Sequence, residues 1–196
     1  MTGDRPSRVL LLTGSLRRPS YTAGLARSIA DALTRHGCAP TLFDPRADAL
    51  PMADPAYHKD PTQHPDPGVQ RLVTAANAAD ALVLATPVYH NGPSGVLKNL
   101  LDHLAFDQVA YKPIGLASHG GNRTTQAVEQ MRLWTRGLLG HATAVQVCTA
   151  REDFAEPTDD DPPVTAAAMG QRIDRFAVEM SVMIQVMAVA RRALWR

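Results

Sequence analysis

The stretch that decides the fold is residues 8–22, which read RVLLLTGSLRRPSYT. It begins with a short, nearly all-apolar run, Arg8–Thr13, of the kind expected for a central parallel strand covered on both faces. A loop rich in hydroxyl and guanidinium groups follows, and Thr22–His36 then carries apolar residues in steps of four, ending before Gly37. A buried strand that leads through a polar loop into a helix is typical of an α/β sheet.

The same alternation of strand and helix continues along the chain. Further strands are predicted at Ala39–Phe43, Ala81–Thr86, Pro113–Ser118 and Ala142–Cys148. Further helices are predicted at Val69–Ala79, Pro93–Leu104, Thr124–Leu139 and Val164–Leu194. This order predicts a doubly wound α/β sheet within one domain that spans residues 1–196.

Composition excludes several classes of protein. Lys and Arg number 20 against 19 Asp and Glu, so the chain lacks the basic surplus of a nucleic-acid binder and the acidic surface of a small electron shuttle. The two cysteines, Cys38 and Cys148, are too few for a disulfide framework or a Cys-rich metal site. No stretch is apolar for long enough to span a membrane, and the first residues do not resemble a signal peptide. We therefore expect a cytoplasmic protein with no metal, nucleic-acid or membrane partner.

Two segments interrupt the alternation. Residues 44–67 contain six prolines, which is too many for regular structure, and a loop of this length is usually functional or mobile. Residues 151–163 are acidic and end in two prolines, which predicts a surface connection into the last helix.

The last predicted helix carries a heptad seam. Its apolar residues recur in alternating steps of four and three, at Met169, Ile173, Phe176, Met180, Met183, Met187, Ala190 and Leu194. A helix over Val164–Leu194 would be about 45 Å long, which is more than a small sheet can cover. We therefore expect its first half to pack on the sheet and its second half to meet another subunit.

The loop after the first strand is a candidate anion site. It contains neither the GxGxxG pattern of a dinucleotide site nor the GK[ST] of an NTPase loop. It offers hydroxyl groups on Ser15, Ser20 and Thr22, a guanidinium on Arg17, and free N–H groups at a helix start. These groups suit a monophosphate, although a simple helix cap with solvated arginines has the same pattern.

The loops after the third and fourth strands are candidates for holding a planar ligand. Pro87, Asn91 and Gly92 predict a tight, rigid turn whose amides can face a heterocycle, and Tyr89 can add a flat face. The later loop, residues 118–122, contains two glycines that allow the backbone to approach a ligand closely. In open α/β sheets, ligands bind at this carboxyl edge of the strands.

Taken together, these motifs resemble those of the NADPH-dependent FMN reductase family, which includes bacterial azobenzene, quinone and chromate reductases. The similarity spans about residues 8–150. The motifs that carry it are Gly14–Arg17 with Ser20 and Thr22, Thr86–Asn91, Ser94–Asn99 with Asp102, Lys112–Gly121, and Met131–Arg132 with Arg136. The resemblance implies a flavodoxin-like sheet of five parallel strands in the order 2-1-3-4-5, and a homodimer or homotetramer.

The resemblance also implies a set of FMN-binding residues. The phosphate would be held by Ser15, Arg17, Ser20 and Thr22. One side of the isoalloxazine would be lined by Pro87, Val88, Tyr89, His90, Asn91 and Gly92, and its other edge by Ser118, His119, Gly120 and Gly121. The chain departs from the family at residues 88–90, where many members have Glu-Tyr-Asn, and the identity of the acceptor therefore stays open.

The activity implied is an NAD(P)H-dependent reductase that passes hydride through FMN to a free flavin, a quinone or an azo compound. The order would be ping-pong, with NADPH or NADH leaving before the acceptor takes the same place. A flavin-dependent monooxygenase is an implied partner if free flavin is the acceptor. No catalytic side chain is assigned, and His90 is the one ionisable candidate. The alternatives are a flavodoxin-type electron carrier and a redox-sensing FMN protein without turnover.

Overall fold

The computed structural model describes residues 5–195, and its centre is a largely parallel sheet. The strands are β1 (Ser7–Thr13), β2 (Cys38–Phe43), β3 (Ala81–Tyr89), β4 (Gly92–Pro93), β5 (Pro113–His119), β6 (His141–Ala142) and β7 (Val147–Thr149). The helices are α1 (Tyr21–Arg35), α2 (Pro67–Ala78), α3 (Gly95–Asp102), α4 (Phe106–Val109), α5 (Gln126–Gly137) and α6 (Ala167–Leu194). The strand order is β2-β1-β3-β5, with both β6 and β7 paired to β5, which confirms the predicted order 2-1-3-4-5.

The predicted fifth strand, Ala142–Cys148, is divided into β6 and β7. The carboxylate of Glu179 on α6 accepts hydrogen bonds from the backbone N–H groups of Ala144 (2.8 Å) and Val145 (2.7 Å). These amides are satisfied by a side chain rather than by a neighbouring strand. The prediction of one continuous strand is therefore wrong at its middle, although both ends pair in parallel with β5.

The sheet is covered on both faces because its strands are apolar on both faces. Val9 and Leu11 of β1 pack towards α1 and α6, whereas Leu10 and Leu12 pack towards α2, α3 and α5. The glycine at position 115 on β5 lies directly against α6, where an added Cβ would be 2.3 Å from the ring of Phe176.

The proline-rich segment 44–67 contains two short 3₁₀ helices, Pro55–Tyr57 and Pro61–Gln63. It is anchored to the domain by buried imidazoles. The ring of His64 packs edge-on against that of His103 at 5.4 Å, and His103 Nε2 is 3.0 Å from the carbonyl oxygen of Pro51.

Helix α6 packs against its own domain along most of its length. Its buried side chains are Met169, Ile173, Phe176, Ala177, Met180, Ile184 and Met187. Near its end, the guanidinium of Arg191 donates a 2.7 Å hydrogen bond to the carbonyl oxygen of Asp107. The predicted seam is partly shifted, because Ile184 rather than Met183 is buried, and Leu194 is exposed. That the second half meets another subunit stays a prediction.

The outer face of α6 carries a second apolar stripe. Val178, Val182, Val186 and Val189 follow one another at steps of four, four and three, and are between 42% and 61% exposed. We call these four residues the valine stripe. Among the residues that the structure describes, no helix, α6 included, has the length and hydropathy needed to cross a membrane.

Candidate functional site

Three loops meet at the carboxyl edge of the sheet, because β1, β3 and β5 are neighbours in it. They are residues 14–20 after β1, the hairpin between β3 and β4, and residues 120–125 after β5. The first two are joined directly, since the hydroxyl of Ser94 donates a 2.6 Å hydrogen bond to the carbonyl oxygen of Gly14. The structure thus brings together all three predicted loops.

The loop after β1 presents backbone donors at the start of α1. Ser20 caps the helix, its hydroxyl accepting a hydrogen bond from the Ala23 N–H at 3.2 Å, and the Ser15 hydroxyl accepts from the Arg17 N–H at 3.3 Å. Within the described chain, the N–H groups of Leu16 and Arg18 have no acceptor. Free amides, the positive end of a helix and the exposed Arg17 guanidinium together suit a phosphate dianion.

A buried carboxylate holds this loop from behind. Asp161 accepts hydrogen bonds from the Ser20 N–H (2.7 Å), from both terminal nitrogens of Arg46 (2.8 Å each) and from Arg27. The Arg46 guanidinium keeps the pKa of Asp161 far below its ordinary value. Arg46 also donates to the carbonyl oxygen of Arg17 at 3.0 Å. Sequence reasoning missed Asp161, because it lies in the acidic 151–163 connection, which has no recognisable motif.

The loop after β3 is a two-residue hairpin turn. Val88 pairs with Pro93 and Tyr89 with Gly92, so only two residues form the connection. These two, His90 and Asn91, both have left-handed backbone conformations, with φ of 48° and 66°. Two successive positive φ values are the signature of a type I′ turn. The predicted tight turn is confirmed, and it presents the exposed side chains of Tyr89, His90 and Asn91 to solvent.

The loop after β5 lies close to the hairpin. The Thr149 hydroxyl donates to the carbonyl oxygen of Ser118 (3.0 Å), and the N–H of Gly120 donates to the Thr149 carbonyl (3.0 Å). A Cβ at Gly120 would lie 3.2 Å from the side chain of Val88, so the glycine allows this approach. Between the two loops is a cleft of about 690 Å³, lined by Val88, His90, Asn91, Gly121, Asn122, Arg123, Thr124 and Gln126.

The His119 side chain does not line this cleft. Its ring stacks on that of Tyr21, with centroids 4.7 Å apart and planes 18° apart, and meets Phe154 edge-on at 5.2 Å. Burial lowers the pKa of His119 to about 4, so the imidazole is neutral at pH 7. His119, which was predicted to border the flavin ring, therefore packs on Tyr21 and Phe154 and does not line the cleft.

Arg123 is a cation of the cleft that sequence reasoning missed. Its guanidinium donates to both oxygens of the buried carboxylate of Asp153 at 3.0 and 2.6 Å and lies 3.2 Å from Glu152. The Arg123 guanidinium helps to hold the pKa of Asp153 below its ordinary value. In the sequence, Arg123 is marked only by its position two residues after the Gly120-Gly121 pair, and this signal is too weak to predict a role in the cleft.

The three loops fit a cofactor with a phosphate at one end and a flat ring at the other, as FMN has. The loop after β1 supplies free amides and Arg17 for the phosphate, and the hairpin and the loop after β5 border an open cleft. Within residues 5–195, no cluster of three or more histidine, cysteine or carboxylate side chains could hold a metal ion.

Comparison with known proteins agrees with this geometry. Residues 7–153 match the family model described as NADPH-dependent FMN reductase. Among curated proteins, the FMN-dependent NADPH-azoreductase of Staphylococcus aureus is 34% identical over 151 residues, which are 76% of this chain and 80% of that protein.

Solved structures share the fold. FerB, a flavoenzyme NAD(P)H:(acceptor) oxidoreductase from Paracoccus denitrificans, has a TM-score of 0.75 at 17% identity and covers 92% of this chain and 98% of that chain. A flavodoxin from the domain Archaea has a TM-score of 0.60 at 9% identity, over 91% of this chain and 99% of that chain. At these identities the likeness shows the fold alone, which is flavodoxin-like.

Proposed function

The chain belongs to the NADPH-dependent FMN reductase family, and on that premise we propose that the 690 Å³ cleft is where its reductant and its electron acceptor bind. The protein is an NAD(P)H-dependent oxidoreductase that uses FMN and acts on a small-molecule acceptor. The observation that supports this proposal most strongly is that the amide-rich loop after β1 meets the hairpin beside the cleft.

The residues proposed to hold the cofactor divide between its two ends. Ser15, Arg17, Ser20 and Thr22 would bind the phosphate through hydroxyl groups, one guanidinium and the free amides of the loop. The main chain of residues 87–92 would face one side of the ring, and residues 118–121 its other edge. When bound, FMN supplies the group that accepts and donates hydride.

The hairpin and the loop after β5 are proposed to position the two substrates in turn. Both bind in the same cleft, so the nicotinamide product leaves before the acceptor enters. The type I′ turn at His90 and Asn91 is held by Gln130, whose amide donates to the Asn91 carbonyl oxygen at 3.0 Å. A fixed turn of this kind orients a substrate without rearrangement. Parallel double-reciprocal plots are expected for this order, and intersecting plots would contradict it.

His90 is proposed as the residue that gives a proton to the acceptor. It is exposed at the wall of the cleft, and an imidazole carries ring nitrogens that can hold and release a proton. Proton donation by a positioned side chain contributes about 100-fold or more to a rate. Transfer from the nicotinamide needs no such donor, so only the second half of the cycle should depend on His90.

The proposed acceptors are azo compounds and quinones. The support is the 34% identity with an azoreductase and the open cleft, which can admit a flat molecule. The test is NADPH oxidation by the purified, FMN-loaded protein with an azo dye or a quinone and no added flavin. Turnover under these conditions is expected. A strict requirement for added free flavin would instead indicate a flavin reductase that supplies a flavin-dependent monooxygenase.

Two further properties are proposed. The protein is a homodimer or homotetramer that associates through the outer half of α6, where the valine stripe is exposed. It works in the cytoplasm, which the two buried free thiols of Cys38 and Cys148 support, since that compartment keeps thiols reduced.

A further inference from the structure

A second cavity lies at the opposite edge of the sheet, at the amino ends of the same three strands. It has a volume of about 430 Å³ and is lined by Arg5 before β1, Ala79 and Asp80 before β3, Tyr111 and Lys112 before β5, and the last turns of α6. Seven residues of β5, or about 20 Å, separate it from the flavin side. We call it the amino-edge cavity, and the proposed reductase site does not use it.

A buried lysine contributes to the wall of the amino-edge cavity. Lys112 is 2% exposed, and within the described residues its ammonium makes one hydrogen bond, of 2.6 Å, to the carbonyl oxygen of Ala76 in the last turn of α2. An ammonium group has three N–H donors, and a buried charge is costly unless it is paired. Two of its donors are therefore available to a further acceptor.

The cavity has an excess of positive charge. Among the described residues that line it, the one carboxylate is that of Asp80, which is already paired with Arg5 through bonds of 2.9 and 2.8 Å and accepts the N–H of Arg8. Lys112 and the two guanidinium groups from the end of α6, Arg191 and Arg192, have no carboxylate partner among the described residues. The cavity therefore favours a ligand with a negative charge.

The remaining wall is aromatic and apolar. The rings of Tyr111 and Trp195 are 6.1 Å apart and inclined at 50°, and Ile184 and Met187 lie on the α6 side. A volume of 430 Å³ is within the range of small-molecule sites. Cations on one side and aromatic rings on the other recognise a flat molecule that carries an anionic group.

We propose that the amino-edge cavity binds a small aromatic carboxylate, with the anionic group at Lys112 and Arg191 and the ring against Tyr111 and Trp195. This site is separate from the reductase site, so each can fail its test without the other.

Trp195 allows binding to be followed directly, because the chain has only two tryptophans. In the FMN-loaded Trp134→Phe protein, emission from Trp195 is recorded during titration with benzoate. Benzamide serves as the uncharged isostere and acetate as the anion without a ring. A saturable change with benzoate, absent with benzamide and much weaker with acetate, is expected. A benzamide response equal to that of benzoate, or a response that never saturates, would overturn the proposal.

Two variants test the anion contacts. Lys112→Met and Arg191→Gln should each weaken benzoate binding by about tenfold or more, as expected for loss of a hydrogen bond between charged groups. Arg175→Gln, which removes an exposed arginine from the first half of α6, is the matched control and should bind as before. If Lys112→Met does not fold, the Arg191→Gln result decides, and unchanged affinity there contradicts the proposal. Turnover of NADPH should stay unchanged in the folded variants.

The pH dependence gives a further readout. Burial and the neighbouring Arg191 lower the pKa of Lys112 to about 7, against the opposing effect of Asp80. The other ionisable groups around the cavity are Arg5, Arg192 and Tyr111. Because the charged ammonium binds the anion, benzoate affinity should fall as the pH rises through about 7, and Lys112→Met should remove this dependence. A wild-type affinity that does not change with pH would show that Lys112 does not bind the anion.

Discussion

The hydroxyl of Ser94 donates a 2.6 Å hydrogen bond to the carbonyl oxygen of Gly14, and this contact ties the hairpin side of the proposed flavin site to the phosphate side. The same hydroxyl caps α3 by accepting from the Leu97 N–H at 3.2 Å. A side chain at Gly14 would force its neighbours to shift, since a Cβ would lie 2.5 Å from Ser94 Oγ and 2.8 Å from the Leu97 Cβ. The positions of the two loops are therefore coupled through one side chain.

Ser94→Ala should therefore lower both stability and FMN affinity. It removes a helix cap and leaves the buried Gly14 carbonyl without this donor, so the free energy of unfolding should fall by about 1–3 kcal/mol. Urea unfolding of the apoprotein measures the first effect, and fluorescence titration with FMN the second. Ser181→Ala, which removes a hydroxyl bonded only within α6, is the control. Unchanged FMN affinity would show that the two loops bind independently.

Arg17→Ala should weaken FMN binding by about 1.5–3 kcal/mol, or roughly ten- to 150-fold, if its guanidinium contacts the phosphate. Equilibrium titration of the apoprotein with FMN measures the change. Arg18→Ala is the neighbouring control, because Arg18 donates instead to the carbonyl oxygen of Arg46 at 3.1 Å. An Arg17→Ala protein with wild-type affinity would place the phosphate elsewhere.

His90→Asn separates the two halves of the catalytic cycle. Asparagine tolerates the left-handed conformation at this position, where φ is 48°, so the turn should be kept while the imidazole is lost. Stopped-flow spectroscopy should show an unchanged rate of flavin bleaching by NADPH and a reoxidation by quinone slowed about 100-fold. His58→Asn, at an exposed histidine of the proline-rich segment, is the control. If the variant matches the wild type in the rates of both flavin reduction and flavin reoxidation, His90 is not the proton donor.

His119 should make the folded protein sensitive to acid. Burial lowers its pKa from 6.5 to about 4, so between these values the unfolded chain binds a proton that the folded chain does not. Stability should therefore fall as the pH drops from 6.5 to 4, by up to about 3 kcal/mol from this group. His119→Phe keeps the ring contacts with Tyr21 and Phe154 but cannot titrate.

The measurement is the free energy of unfolding of both proteins at several pH values. Carboxylates titrate in both proteins, so the contribution of those distant from His119 cancels in the difference, whereas Asp153, whose pKa His119 helps to lower, is part of the measured effect. The wild type should lose stability relative to His119→Phe as the pH falls through this window. A difference that does not vary with pH would contradict a half-buried His119 whose pKa is lowered in the folded protein.

The valine stripe should mediate self-association. Val182 and Val186 are 55% and 54% exposed, and a lysine at each would place two charges in a contact between helices. Light scattering should therefore give an oligomer for the wild type and a monomer for the Val182→Lys/Val186→Lys double variant. Gln171→Lys, at an exposed position on the first half of the same helix, should leave the assembly intact. A monomeric wild-type protein would contradict the proposed self-association.

Most of the scaffold could be predicted because its signals are local. The strand at Arg8–Thr13 is apolar on both faces, which is what a central parallel strand requires, and observed β1 is Ser7–Thr13. The strand order came from family resemblance. The meeting of the three loops then followed, since the carboxyl ends of adjacent parallel strands lie at one edge.

Contacts between distant segments could not be predicted. Asp161 accepts a hydrogen bond from the Ser20 amide, 141 residues away in the sequence. The predicted fifth strand is interrupted by a carboxylate of α6, that of Glu179. His119 belongs to a loop that resembles a flavin edge, yet its ring packs on Tyr21. The spacing of residues in the sequence does not predict such contacts, because they depend on which side chains the packed elements bring together.

The sequence by itself determined the succession of strands and helices along the chain, a tight turn after β3 and the donors after β1, because periodicity, glycine placement and helix capping act over a few neighbouring residues. Only the tertiary structure decided which face of α6 is covered, which carboxylates hold the loops, and that Lys112 is buried beside two arginines. Burial and charge pairing are properties of the packed chain, and they set the pKa of a group and the ligand that a cavity can accept.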